Sequence, residues 1–366
     1  MGGWTGCTSG SSSPDASVRD AEVADAGPAL RVVSVEDRGA LPLPSATVAG
    51  RDGASSGLLA GRLLWTFGDT FLYAPTPVDG SNVATATGAW ATVGAPLTLE
   101  QPVDANGIPA QLVPYTDVEL AQNRAAPLDG WALWPGAVID TGTDSLLLLF
   151  QRIKRTGGSG FDGVGVGSAR LGVGETVARR DVGDLFSRPL PPAPGGTPLY
   201  GVGGVAIDGA DAYFFACETI APFNQGCRLA RAPRARADDR SAFVFYDGTG
   251  WSADIAAAVV VIDRVGSVVS VTHNAHLGRY LAISSRPLSN EILLRTAEHI
   301  EGPWPSSGVV VGPADGGILA AGEGNDYLAQ EQPALSSADG LHIMISYSRP
   351  MGSFRGEVRL AQLTLE

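Results

Sequence analysis

The sequence predicts an all-β fold, a five-bladed β-propeller of four-stranded blades. Three observations carry that expectation. A two-strand pattern recurs five times along the 366 residues. Strong helical periodicity is missing throughout. Gly at 48 and Pro at 25 supply many turns and few places for long helices. Each copy of the pattern has a strand of small residues, a Gly/Asp/Asn turn, and a strongly apolar strand. The copies lie roughly 65–85 residues apart, room for four strands and their loops. Serial four-stranded sheets of this kind close into a propeller more readily than into an open β-sandwich pair, the alternative architecture.

The first copy is the stretch from Gly50 to Phe71, R-D-G-A-S-S-G-L-L-A-G-R-L-L-W-T-F-G-D-T-F after the glycine. A tight turn at Ala60-Gly61 places Leu59 opposite Arg62, and counting outward sets Asp52 opposite Asp69. Residues opposite each other in a hairpin point to one face. The second copy runs from Trp134 through a turn at Thr141–Asp144 to Phe150. The third runs from Gly201 to Cys217, the fourth from Ser267 to Ser284, and the fifth from Gln332 to Ser348. Further strands read at Ala242–Tyr246, Glu291–Thr296 and Val358–Leu365. A terminal strand at Leu360–Leu365 would leave an open edge, and Arg31–Val35 is the obvious partner to close the ring. Residues 1–29 are Ser/Ala/Asp-rich without periodicity and read as a disordered linker, which leaves 30–366 as one propeller domain.

Charge and cysteine usage narrow the function classes. A net charge of -13 argues against nucleic acid, because phosphate contacts need clustered Lys/Arg. The one Arg-rich run, Arg231 to Arg240, is interrupted by Asp238 and Asp239. No run of 18 apolar residues is present. Thr5-Gly6-Cys7 and the Ser-rich tract after it resemble a lipoprotein cleavage site with its spacer, although only six residues precede Cys7. On that reading Cys7 is lipidated, the protein is secreted or held at the cell envelope, and the lipid is its one membrane contact. Cys217 and Cys227 flank a short loop, a spacing that suits a disulfide. A monomer is expected.

In a propeller, the loops entering the innermost strands and those leaving the second strands open on one face, here called the upper face. The turns between those strands open on the other. Asp140, Asp144, Asp208, Asp211 and Asp339 fall in such turns, where Asx-type turn chemistry explains them. Asp52, Asp69, Trp134, Gln151, Arg152, Glu218, Arg286, Glu331, Gln332 and Arg349 fall on the upper face. Glycoside cleavage fits that set best. It needs an acid for the leaving oxygen and a second carboxylate as base or nucleophile, and Asp52, Asp69 and Glu218 are the candidates. Neighbouring carboxylates also raise one another's pKa, which keeps an acid protonated near neutrality. Trp134 offers a ring to stack on a sugar. Arg51, Gln151, Arg152, Arg286, Glu331, Gln332 and Arg349 offer polar groups for hydroxyls. The expected ligand is a polysaccharide or oligosaccharide. The competing reading is a glycan-binding or cell-surface propeller without catalysis. The four histidines show no metal-ligand spacing, no G-x-S-x-G elbow occurs, and no cofactor is expected. The central channel is where hard oxygen ligands of distant blades would meet a cation.

R-D-G-x-x-S-G-L-L-x-G-R-x-x-W-x-F-G-D-T-F resembles the opening of a family of exported bacterial five-bladed propellers, long described as a domain of unknown function. W-P-G at Trp134, D-G-T-G-W at Asp247, L-G-R-Y-L at Leu277 and L-S-N-E-I-L-L-R-T-A with E-G-P-W at Leu288–Trp304 agree with it over nearly all of 31–366. Some members of that family are endo-acting D-arabinanases. The resemblance implies that their catalytic aspartates correspond to Asp52 and Asp69, and that the reaction inverts. In the fifth blade the family pattern is His-Pro-Glu-Leu-like, where this chain has Gln332-Pro333-Ala334-Leu335.

Overall fold

The computed structural model describes residues 30–157, 160–190, 196–312 and 325–366; the N-terminal linker and Cys7 lie outside them. It is a five-bladed β-propeller built from five antiparallel sheets in chain order. The innermost strands are Val48–Arg51 with Ala54–Leu59, Trp131–Thr143, Val205–Asp208, Ser270–Asn274 and Tyr327–Glu331. Each is followed by the bulky second strand that the sequence pattern marks: Arg62–Leu72, Ser145–Arg155, Asp211–Ala221, Arg279–Ser285 and His342–Pro350.

The second strands are continuously apolar because both of their faces are buried between blades. In the second blade, Leu146, Leu148 and Phe150 pack with Leu64 and Trp90 of the first. Leu147 and Leu149 point the other way, onto Phe214 and Ala216 of the third. The same alternation fills the remaining interfaces. Phe215 packs near Val271, Leu281 and Ile283 pack near Ile343 and Ile345, and Trp65 and Phe67 pack near Val358 and Leu360. This last cluster joins the fifth blade to the first and completes the ring.

Ring closure also takes the expected form. Val32–Ala40 pairs antiparallel with Gly356–Leu365 and becomes the outermost strand of the fifth blade. One local reading is corrected. The fifth inner strand ends at Glu331, and Pro333–Leu335 form a 3-10 turn, because a proline after Gln332 withholds the amide a strand would use. The chain also contains a helix, Asp117–Ala125, closed by a capping box between Thr116 and Glu119. It is only nine residues long and its apolar stripe is weak, so periodicity does not reveal it.

Candidate active site

The first hairpin has the register expected from its turn: Leu59 faces Arg62 and Ala54 faces Phe67. Above Ala54 the inner strand breaks for two residues, where Gly53 adopts φ +55°, and resumes at Arg51 opposite Thr70. The break turns Asp52 toward the neighbouring strand without losing the pairing. Its backbone N–H donates to the Asp69 carbonyl at 2.9 Å, and its carbonyl accepts from Gly68 at 3.0 Å. A Cβ on Gly68 would sit 3.3 Å from Asp52 Oδ1, so glycine there leaves room for the carboxylate.

Asp52 Oδ1 accepts the backbone N–H of Asp69 at 3.0 Å, and Oδ2 accepts the Tyr327 hydroxyl at 2.8 Å. Asp69 Oδ1 accepts the Trp134 indole N–H at 2.9 Å and faces an Arg155 Nη at 3.5 Å. Trp134 is held in turn edge-to-face by Phe161, with ring centroids 5.0 Å apart. Three blades therefore meet at this pair: the first with both acids, the second with Trp134 and Arg155, the fifth with Tyr327.

Burial and neighbours set the proton affinities. Asp69 has only 13% of its side chain exposed. Its pKa is pushed up to about 7, first by burial and then by the Asp52 charge, against the pull of Arg155 and Trp134. Asp52 is raised by burial too, but the Asp69 amide and Tyr327 hydroxyl both favour its ionised form. Burial and the two aspartates push the Tyr327 hydroxyl far up, so it stays protonated and donates.

The other residues singled out from sequence divide into groups. Trp134 joins the pair. Gln151 is half-buried opposite Trp134 in the strand pairing, with its amide over Gly163. Arg152 is committed to Glu119 and Asp184 and stacks on Trp131. Arg286 pairs with Glu291 in its own hairpin, and Arg349 with Asp326 at 3.2 Å. Glu218 is held between Arg188 and Arg228 on the side facing the second blade. Its two carboxylate oxygens are thus engaged by guanidinium groups, whereas Asp69 is raised by the charge of Asp52.

Three expected substrate-binding residues point elsewhere. Arg51 is fully buried, lying 4.2 Å over the Phe67 ring, because alternation sends it to the face opposite Asp52. Gln332 is buried between the first and fifth blades, bonded to Ser56, Ala54 and Ser346. Glu331 is buried against Thr272 and Ser336. The shift of the fifth inner strand explains the last two. The residue that occupies the upper end of that strand is Tyr327, which the sequence pattern missed along with Arg155 and Phe161. Arg155 was legible in principle, since it ends the second strand of its blade as Asp69 nearly ends the first's.

Cys217 and Cys227 face each other across the second and third strands of the third blade and form a disulfide. Among the described residues no cluster of three or more His, Cys, Asp or Glu side chains is arranged to hold a metal ion.

Residues 202–336 match the family described as "Domain of unknown function (DUF4185)". No curated protein matches the chain. Among solved structures, the α-L-arabinofuranosidase of Podospora anserina in complex with cellotriose is 12% identical with TM-score 0.50, covering 92% of this chain and 97% of that one. The catalytic domain of the Coprinopsis cinerea GH62 α-L-arabinofuranosidase is 11% identical with TM-score 0.51, covering 90% and 98%. A family 117 glycoside hydrolase of the marine bacterium Zobellia galactanivorans is 12% identical with TM-score 0.50, covering 92% and 90%. The propeller fold of this chain is thus one that glycoside hydrolases share.

Proposed function

We propose that the chain is a glycoside hydrolase acting on a furanose-containing polysaccharide of D-arabinan type, with Asp69 as general acid and Asp52 as general base. The observation that carries this reading is the pair itself. Two carboxyl groups share one rim, both raised by burial; an amide and a phenol favour the ionised form of Asp52, while the Asp52 charge raises Asp69 further. Asp69, raised to about 7, holds a proton for the leaving oxygen near neutrality. Asp52 accepts from an amide and a phenol, both of which favour the carboxylate that would activate water. Trp134 orients Asp69 through its indole N–H and leaves part of its ring exposed beside the pair. The shared fold with α-L-arabinofuranosidases supports a furanoside substrate. The resemblance of the opening hairpin to arabinanases supports D-arabinan and an inverting course. Export to the cell envelope, with Cys7 as the lipidated residue, belongs to the same proposal, and the disulfide suits that compartment.

The test is release of reducing ends from arabinan, arabinogalactan, galactan and fructan. Asp52→Asn and Asp69→Asn are each expected to lower turnover by about 100-fold or more while the protein stays folded. Proton NMR of the first-formed product should show the anomer opposite to the substrate's. Wild-type turnover by both variants rejects the assignment. Retained glycan binding with no product from the wild-type protein would favour a binding propeller.

A further inference from the structure

The seam that closes the ring contains a buried cation with no partner charge among the described residues. Arg51 is 0% exposed. It sits where the first and fifth blades approach closely: a Cβ on Gly50 would come within 2.4 Å of the Gly356 backbone. Its guanidinium lies over Phe67, in the cluster that includes Trp65, Val358 and Leu360. Arg51 Nη2 donates to Gln101 Oε1 at 2.8 Å. Beyond that bond, Arg51 Nε and Nη1 and Gln101 Nε2 are buried without acceptors. Among the described residues no carboxylate pairs with Arg51.

We infer that the Arg51–Gln101 site at the seam binds a small monovalent anion, of which chloride is the simplest. The three unpartnered atoms are all donors, and they belong to two side chains already joined by a hydrogen bond. Arginine and a glutamine amide nitrogen cannot accept, so only an acceptor can complete the site. A water would satisfy donors but leave the guanidinium charge uncompensated in an apolar surround. An anion does both. The ligand must be compact, because the residues around it are the packed side chains of two blades. Burial with no opposing acid lowers the Arg51 pKa only to about 10, so the cation persists at neutral pH. An anion here would fasten the ring where its two ends meet.

The experiment is thermal unfolding of the full chain at constant ionic strength, with sodium gluconate replaced stepwise by sodium chloride or bromide. Tm is expected to rise saturably by about 2–4 °C. Crystals in bromide should show an anomalous peak between Arg51 and Gln101. Gln101→Glu places a fixed carboxylate where the amide oxygen now accepts from Arg51. That variant should have the higher Tm in gluconate and should lose the halide response. Arg51→Met should also lose the response, and Gln101→Glu carries the test if Arg51→Met does not fold. Equal Tm in chloride and gluconate, a water alone at the site, or an undiminished halide response in Gln101→Glu would overturn the inference.

Discussion

At the scale of single residues, the site is governed by which groups donate to which oxygen. Tyr327 lowers the proton affinity of Asp52, so Tyr327→Phe should raise it and move the acidic limb of the kcat/KM profile to higher pH, by about 0.5–1 unit for one lost hydrogen bond. Arg155 and Trp134 both pull the Asp69 pKa down. Arg155→Met or Trp134→Phe should therefore move the alkaline limb, expected near pH 7 in the wild type, to higher pH. A pH–rate series on the three variants checks all three signs. Stability follows the same linkage. The folded-state pKa of Asp69 is above its unfolded value of 3.8, so the folded state binds the extra proton. The stability contributed by Asp69 is fully present below about pH 4 and is lost as pH rises toward 7. Asp69→Asn should match wild-type Tm at pH 4 and exceed it at pH 8.

At the scale of elements, the opening hairpin combines a regular register with one deliberate break. The register follows from a two-residue turn and from alternation, and both are visible in the letters of the sequence. The break at Asp52-Gly53 is only half visible, since R-D-G also reads as an ordinary turn. Gly53 at φ +55° is the residue that permits it. Gly53→Ala should cost about 1–2 kcal/mol, measured by denaturant unfolding, and displace Asp52 from the Tyr327 hydroxyl. In the third blade the disulfide ties two paired strands across a short loop. Replacing Cys217 and Cys227 together with Ser should lower stability by about 2–3 kcal/mol on the loop-entropy account, a difference denaturant unfolding can resolve. Tyr327 escaped notice at this scale. The inner strands are short and small-residue, so a shift of a few positions in the fifth copy leaves the pattern unchanged while exchanging Tyr327 for Gln332 at the rim.

At the scale of the whole molecule, five interblade clusters hold the ring, and its ends meet between the fifth blade and the first. Two features secure that meeting: the outermost strand Val32–Ala40 along Gly356–Leu365, and the packing of Trp65 and Phe67 near Val358 and Leu360. Removing residues 1–40 would expose the edge of Gly356–Leu365 as an unpaired template. The truncated chain should melt well below the 30–366 chain and self-associate, which unfolding and size-exclusion measurements will report. The same closure brings Tyr327 to Asp52, 275 positions away in the chain. Site geometry and ring closure are therefore parts of one construction.

The fold class, the ring closure, the disulfide and the pairing of Asp52 with Asp69 could be read from the chain alone. Each of these rests on local periodicity, turn chemistry or nearest-neighbour spacing, which a linear chain displays directly. The partners of the two acids, the engagement of Glu218 by two arginines, and the burial of Arg51, Glu331 and Gln332 emerge from the folded ring. Those depend on which blade faces which, and on the side to which each strand turns a given residue. That information arises when the blades close around a common axis. It makes the first hairpin's two carboxyl groups unequal, because Tyr327 reaches one and Trp134 and Arg155 reach the other.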